Sequence, residues 1–479
     1  MIKYFQIFRP NMGDARIFSK REQRLVLLAS CLAIFATPLM GTMVNLALPT
    51  MGSEFGISTS QEGWIIAVYF LSSVAFMVPI ARLADLFGKR KMFIAGIFIT
   101  IAGALFASVS PNFTALLACR VIMGLGSAAI SCTGIAMLTE VYPKNHRGGA
   151  IGMNTAAVYL GSSVGPPLGG FLTDTLGWHS TFYMVIPFCL LALVAILAFK
   201  TDFAPAKGEH FDAKGSVVYG VAITIATYGL MSITEWYSIP LIIAGVALLG
   251  AFYFMEKREK FPVLNVKLFS NSRYTRSVIA ALLNYASSFA VAFFLSLYLQ
   301  DVGDYTPSQA GMVLLIQPLI QAIFTPITGR LSDRVDARIL PTVGMIITCA
   351  GLMVIVLLTK EVNMLHVAVA LILLGTGYSL FSAPNTNAVM ATVTPKEYSE
   401  ASGMLGIMRQ GGILLSIGIA VGCVSLIVGN GSINPATIDL FMKAMRTAFL
   451  LFVGMSVVGC VLSWFRGKPL KDGQTATEQ

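Results

Sequence analysis

Charge is scarce in this 479-residue chain. Only 12% of its residues are Asp, Glu, Lys or Arg, against 56% hydrophobic, and soluble domains carry about twice that share of charge. An ordinary water-soluble protein is thereby excluded. Histidine is rare too: the four, at 146, 179, 210 and 366, form no i,i+4 pair, so metal chemistry has no support. The seven cysteines lie in or beside apolar runs with no C-x-x-C spacing, which indicates neither a disulfide framework nor a zinc site. No small-residue cleavage site follows a short apolar core near the N-terminus, so no signal peptide is read. No nucleophile–base pairing or nucleotide-binding loop stands out, so no enzyme activity and no cofactor is expected.

Long apolar runs are present instead. A membrane-crossing helix takes about 20 apolar residues. In lipid the helix satisfies its own backbone groups, so an all-α polytopic membrane protein is expected. The runs fall at 24–48, 61–84, 92–109, 114–140, 148–175, 180–199, 214–234, 238–255, 274–300, 307–331, 339–359, 365–393, 402–428 and 437–465. That makes fourteen. Net charge is +10, and the cations concentrate in alternate connections, for example Arg82/Lys89/Arg90/Lys91, Lys257/Arg258/Lys260 and Arg330/Arg334/Arg338. This is the bias of cytoplasmic loops, not a nucleic-acid surface. Both termini are therefore placed in the cytoplasm. The basic, aromatic residues ahead of the first run read as an interfacial arm.

Two charged hairpins divide the chain. Ala81-Arg-Leu-Ala-Asp-Leu-Phe-Gly-Lys-Arg-Lys91 separates the second and third runs, and Gly329-Arg-Leu-Ser-Asp-Arg-Val-Asp-Ala-Arg338 recurs as a weaker copy. Asp85 becomes Asp333, an offset of 248 residues (85 to 333). Six runs fill about 200 residues, so the excess holds two inserted runs between related halves. The expected domains are a cytoplasmic arm 1–23, a six-helix bundle 24–200, two inserted helices with their loops 201–260, a second bundle 261–466 and a tail 467–479.

The hairpins resemble the loop signature G-x-L-a-D-r-x-G-r-k of the major facilitator superfamily, with Ala81 in place of the first glycine. Further motifs agree. Arg120 opens Arg-Val-Ile-Met-Gly-Leu-Gly126, which resembles the fourth-helix R-x-x-q-G-x-G with Met123 at the glutamine. Gly161-Ser-Ser-Val-Gly-Pro-Pro-Leu-Gly-Gly170 matches the exporter signature G-x-x-x-G-P-x-x-G-G. Thr42-Met-Val-Asn-Leu-Ala-Leu-Pro49, Trp64 to Tyr69, Tyr298-Leu-Gln300 and Arg409-Gln-Gly-Gly412 extend the likeness to the fourteen-helix drug:proton antiporter-2 (EmrB/QacA-type) family.

The resemblance implies a major facilitator fold of two six-helix bundles plus two inserted helices. It further implies a plasma-membrane (inner-membrane) exporter working by alternating access, with the proton as coupling ion and no other cofactor. Arg82, Asp85, Gly88, Lys89, Arg90, Glu140, Gly329, Asp333 and Arg334 are expected to latch the halves at the cytoplasmic face. Arg120, Glu62 and Arg409 are the candidate coupling residues. Gly161, Gly165, Pro166, Pro167, Gly169 and Gly170 are expected to make a bent, closely packed fifth helix. Gly124-Leu-Gly-Ser-Ala-Ala129 matches a dinucleotide fingerprint by letter, but it follows no strand and reads as helix packing.

One departure bears on substrate. The family's first-helix Asp falls on Met40, and no carboxylate is found well inside any run. A buried dication needs an acidic partner, so a neutral, zwitterionic or anionic amphiphile is the better expectation. Candidate cavity residues are Asn45, Tyr69, Asn154, Tyr159, Asn284, Phe293, Gln317, Gln321, Tyr378, Asn385, Met404 and Met408. Expected partners are a small amphiphilic substrate and membrane lipid, with no nucleic acid, in a monomer with room for an adaptor protein. The alternative is a facilitator, or an anion, metabolite or lipid transporter without proton antiport.

Overall fold

A computed structural model describes residues 18–57, 59–231, 236–305, 307–428 and 437–466. Among them are seventeen α-helices and no strand. The first half contains α1 (Lys20–Phe55), α2 (Thr59–Phe87), α3 (Lys89–Ser108), α4 (Phe113–Val141), α5 (Lys144–Leu176), α6 (His179–Tyr183) and α7 (Val185–Leu197). Next come α8 (Ala213–Met231) and α9 (Ser238–Glu256). The second half contains α10 (Ser272–Ala286), α11 (Ala290–Leu297), α12 (Pro307–Leu314), α13 (Ile316–Leu331), α14 (Ile339–Val356), α15 (Met364–Met390), α16 (Tyr398–Ile427) and α17 (Ile438–Trp464).

Twelve stretches among the described residues are long and apolar enough to cross a membrane. The chain is thus a multi-pass membrane protein. The long helices α5 and α8 lie outside that set of twelve. Three expected runs are broken, each for a local reason. Pro187 and Pro318 sit in the first turns of α7 and α13, where the ring excludes the carbonyl four residues back and forces the breaks at Met184 and Leu315. Between α10 and α11, the Ser287 and Ser288 hydroxyls both donate to the Asn284 carbonyl. They substitute for the helical amide there.

Helix starts follow side-chain chemistry. Ser19 accepts from the Glu22 amide while Glu22 returns a bond to the Ser19 amide, a capping box that starts α1. Phe18, just before it, packs on Phe199 and Phe203. Asn112, Asn271 and Asn363 accept amide bonds at the starts of α4, α10 and α15.

The halves repeat in three dimensions. A Cβ added to Gly126 would strike Thr100 and the Gly96 carbonyl, and one added to Gly377 would strike Thr348 and the Gly344 carbonyl. Gly96 and Gly344 are 248 residues apart (96 to 344), as are Thr100 and Thr348 (100 to 348). The same close crossing therefore joins α3 to α4 and α14 to α15, which matches the offset of the charged hairpins. One apolar core belongs to the first half and another to the second. A third takes Met77 and Cys132 from the first half, Tyr219 and Phe252 from the inserted pair, and Met345 and Met404 from the second. Large apolar side chains such as Phe98, Phe106, Phe171, Leu191 and Ile239 are exposed, as a lipid-facing surface requires.

Candidate functional site

The first charged hairpin is a buried ion network. Lys89 starts α3 and is fully buried. Its Nζ lies 3.0 Å from Glu140 Oε1 and 3.8 Å from Asp85 Oδ1, and it donates to the Pro395 carbonyl of the other half at 3.1 Å. Glu140 is therefore brought to the hairpin, as the sequence suggests. Asp85 is fully buried, lies beside Ser399 at the start of α16, and neither carboxylate oxygen has a hydrogen bond.

Arg82 turns away from Asp85 to pair with Glu209 at 2.7 Å, and Arg90 donates to the Ile196 and Leu197 carbonyls. Gly88 has φ +116, and a Cβ there would meet Asp202, so glycine is required twice over. Two members went unread in the sequence. Tyr398 stacks between Lys89 and Arg147, each 5.4 Å from its ring centre. Glu400 is buried beside Asp85 and Arg82 and accepts from the Asn265 amide at 3.4 Å. A carboxylate at a helix start reads as a cap, which hid its burial.

The second hairpin closes the same end from the opposite half. Asp333 Oδ1 accepts from the Gly148 amide at 2.8 Å, and its Oδ2 accepts from the Gly149 amide at 3.3 Å. Asn387 Nδ2 supports it at 3.3 Å. Gly148 and Gly329 pack backbone to backbone, each leaving no room for a Cβ on the other. Arg334 is exposed. In the same loop, the Arg338 guanidinium hydrogen-bonded to Asp336 holds that carboxyl below the usual range.

Helix α5 runs unbroken through Pro166 and Pro167. Its stripe of glycines lies on α1: Cβ atoms at Gly161, Gly165 and Gly169 would strike Phe35, Thr42 and Met43 respectively. Gly170 lies in the same helix, half-buried. Gly124 is likewise pressed onto the Tyr69 carbonyl and Ser72, which is the close packing expected of that segment. Arg120 is fully buried; its Nε donates to the Ile65 carbonyl at 2.8 Å, and its guanidinium lies 4.8 Å from the Tyr69 ring centre. Its two terminal nitrogens have no hydrogen-bond partner.

A cavity lies between the halves, walled by α1, α4, α5, α10, α15 and α16. Asn154, Asn385 and Arg409 of the sequence candidates line it, joined by Ser131, Tyr285, Ser382 and Ser402, which the sequence did not single out. Tyr159 lies near Tyr285, Ser382 and Arg409. The remaining candidates lie elsewhere. Tyr69 donates to the Thr37 carbonyl inside the first-half core. Asn284 turns to Met345, Tyr378 belongs to the second-half core, and Met404 and Met408 to the shared one. Phe293 is exposed; Gln317 and Gln321 lie on α13, with Gln321 buried. The side chains of Asn45 and Glu62 lie outside the described residues.

Two related helical halves enclosing a polar cavity, with mirrored charged closures at one end, define a membrane transporter. The chain belongs to the Major Facilitator Superfamily, whose family model matches residues 30–256 and 277–479. It is 28% identical over 393 residues to the riboflavin transporter RibZ of Clostridioides difficile, covering 81% of this chain and 85% of that one. It is 30% identical over 410 residues to the multidrug resistance protein Stp of Mycobacterium tuberculosis, covering 84% and 75%. The puromycin resistance protein pur8 of Streptomyces alboniger is 27% identical over 454 residues, 92% and 90%. The fold is similar to that of the human organic anion transporter MFSD10, with a TM-score of 0.66 at 14% identity over 92% of this chain and 99% of that one.

Proposed function

We propose that this transporter exports small amphiphilic molecules by alternating access, coupled to proton entry, in the plasma membrane. The observation that carries the reading is the cavity between the halves together with its closure at one end by Asp333 on Gly148 and Lys89 on Pro395. Such an arrangement fits a state sealed on the cytoplasmic side and able to open on the other. The exporter signature in α5, packed along α1, supplies a close, leak-free sliding surface. The multidrug and puromycin resistance relatives support export.

In this reading α5 and α8 complete fourteen spans of the antiporter-2 type, both termini lie in the cytoplasm, and the two bundles meet near residues 200 and 261 with α8 and α9 between them. Coupling runs through Arg120, whose unpartnered nitrogens in a buried setting respond to any nearby change of charge. The test is proton movement in proteoliposomes holding a pH dye, with Arg120→Ala as control. Substrate-driven pH change that the variant lacks is the expected result; transport with no proton flux sinks the coupling.

A second reading, a facilitator without antiport, has its own observation. Met40, at the place of the family's first-helix Asp, is fully buried among apolar neighbours, and no acid lines the cavity among the described residues.

A further inference from the structure

We infer that the central cavity selects organic anions and that Arg409 is the residue that binds their charge; this rests on the transport reading above and names its substrate class. Arg409 lies eleven residues beyond Tyr398 on α16 (398 to 409), which at 1.5 Å per residue is about 16 Å along the helix. That depth is near the middle of a hydrocarbon layer roughly 30 Å thick. A cation there is costly unless it is paired or faces an aqueous path.

Among the described residues Arg409 is the only charged one lining the cavity, and no hydrogen bond or ion pair from it is found. The acids of the closing network are committed elsewhere: Glu140 to Lys89, and Glu400 to the Asn265 amide. The guanidinium is thus a half-buried fork of donors at the cavity wall, with no protein acceptor among the described residues.

The polar wall around it shows the same surplus. Asn154 donates one amide proton to Ser30 at 2.8 Å and Asn385 one to the Ser277 carbonyl at 3.1 Å, so each amide has a second proton left over. The hydroxyls of Tyr285 and Ser382 share one bond at 3.3 Å, and Ser382 also lies against the Tyr159 hydroxyl. Ser131 Oγ has no partner, and it is buried. Donors left over at the wall therefore include the Arg409 guanidinium, the Ser131 hydroxyl and the second protons of the Asn154 and Asn385 amides. Asn385 Oδ1 is a buried acceptor with no donor.

Buried polar groups in native proteins are nearly always satisfied; the cavity as it stands, about 30 Å³, has room for a water or two, and when the halves open one ligand reaching Arg409, Ser131 and Asn385 meets all three. It carries a carboxylate, which matches the planar guanidinium bidentately, and one N–H or O–H for Asn385. Its body is apolar, since Ile34, Ile135, Val158, Phe381 and Leu405 form the rest of the wall. A cation about 5 Å from Arg409 with no acid to offset it would bind more weakly by roughly a hundredfold at an effective dielectric near 20.

The test uses three ligands with one aromatic body: naphthaleneacetate, naphthaleneacetamide and a naphthylmethyl-trimethylammonium. Binding is measured on the full-length protein in nanodiscs and flux in proteoliposomes. The wild type is expected to bind and move the acetate best. Arg409→Gln weakens acetate binding by thirtyfold or more while leaving the amide within about threefold. Arg409→Lys keeps an intermediate acetate affinity, and Ser131→Ala loses severalfold for the acetate alone; these two serve also where Arg409→Gln fails to fold by its melting curve. Unchanged acetate affinity in Arg409→Gln overturns the assignment. Preferred or equal movement of the ammonium overturns anion selection and leaves transport standing. Movement of none of the three overturns both.

Discussion

The carboxylate of Asp333, on the loop after α13, accepts a hydrogen bond of 2.8 Å from the amide of Gly148 in the first turns of α5. Asp85, its counterpart 248 residues earlier (85 to 333), lies beside Ser399 at the start of α16 without accepting an amide bond. Each half thus presents a carboxylate to the positive end of a helix in the other. Under the proposed alternating access, the two closures are expected to form and break together.

Removing one of them loosens that end. Asp333→Ala leaves two amides without their acceptor, at about 1–3 kcal/mol. The ratio of closed to open conformers is expected to fall by roughly tenfold to a hundredfold. Spin-label distances between the loop before α5 and the loop after α13 read this directly. A distribution unchanged from wild type would refute the role.

Lys89 answers two acids and a carbonyl from a fully buried position. Lys89→Met is expected to cost about 3–5 kcal/mol, because it strands Asp85 and Glu140 without a counter-ion. Lys89→Met combined with Asp85→Asn and Glu140→Gln recovers part of the loss. Melting curves in detergent measure both. By contrast Glu209→Gln, at the half-exposed end of the pair with buried Arg82, keeps a neutral acceptor for the guanidinium and is expected to cost only about 1–2 kcal/mol.

The glycine stripe of α5 tolerates no side chain. Gly165→Leu collides with Thr42 on α1 and is expected to lower the melting temperature and abolish flux. Gly250→Ala meets nothing within 4 Å, so it is neutral or stabilises by up to about 1 kcal/mol through helix propensity. Equal melting temperatures for the two variants would remove close packing as the reason for the motif.

Sidedness is open to direct labelling. In a background with the seven cysteines replaced by serine or alanine, Gly208→Cys and Glu259→Cys are expected to react with an impermeant maleimide only after the membrane is opened. Glu361→Cys reacts in intact cells. Labelling of all three from outside contradicts the proposed fourteen-span topology.

The two-half architecture and the charged hairpins were legible because they rest on local features: apolar runs of membrane length, cation bias and a motif repeated at one offset. The offset itself reappears in the fold at Gly96 and Gly344, each crossed closely by a glycine of the next helix, Gly126 and Gly377. The same local logic gave Glu140 as partner to the first hairpin, since both lie at the same end of adjoining helices.

Cavity lining was another matter. Twelve polar, aromatic and Met residues were plausible cavity residues by type, yet Asn154 and Asn385 line the cavity with Arg409, while Tyr69, Asn284 and Tyr378 point into helix packing. A membrane helix is apolar nearly all round, so periodicity does not reveal which face meets the other half. Tyr285, Ser382 and Ser131 carry no motif; only the crossing of six helices from both halves brings them to one space. Composition and apolar runs determined that this chain is a multi-pass membrane protein, and its motifs that it resembles a transporter superfamily. Only tertiary packing decided which of its polar groups were left without partners, and that is where a substrate would have to bind.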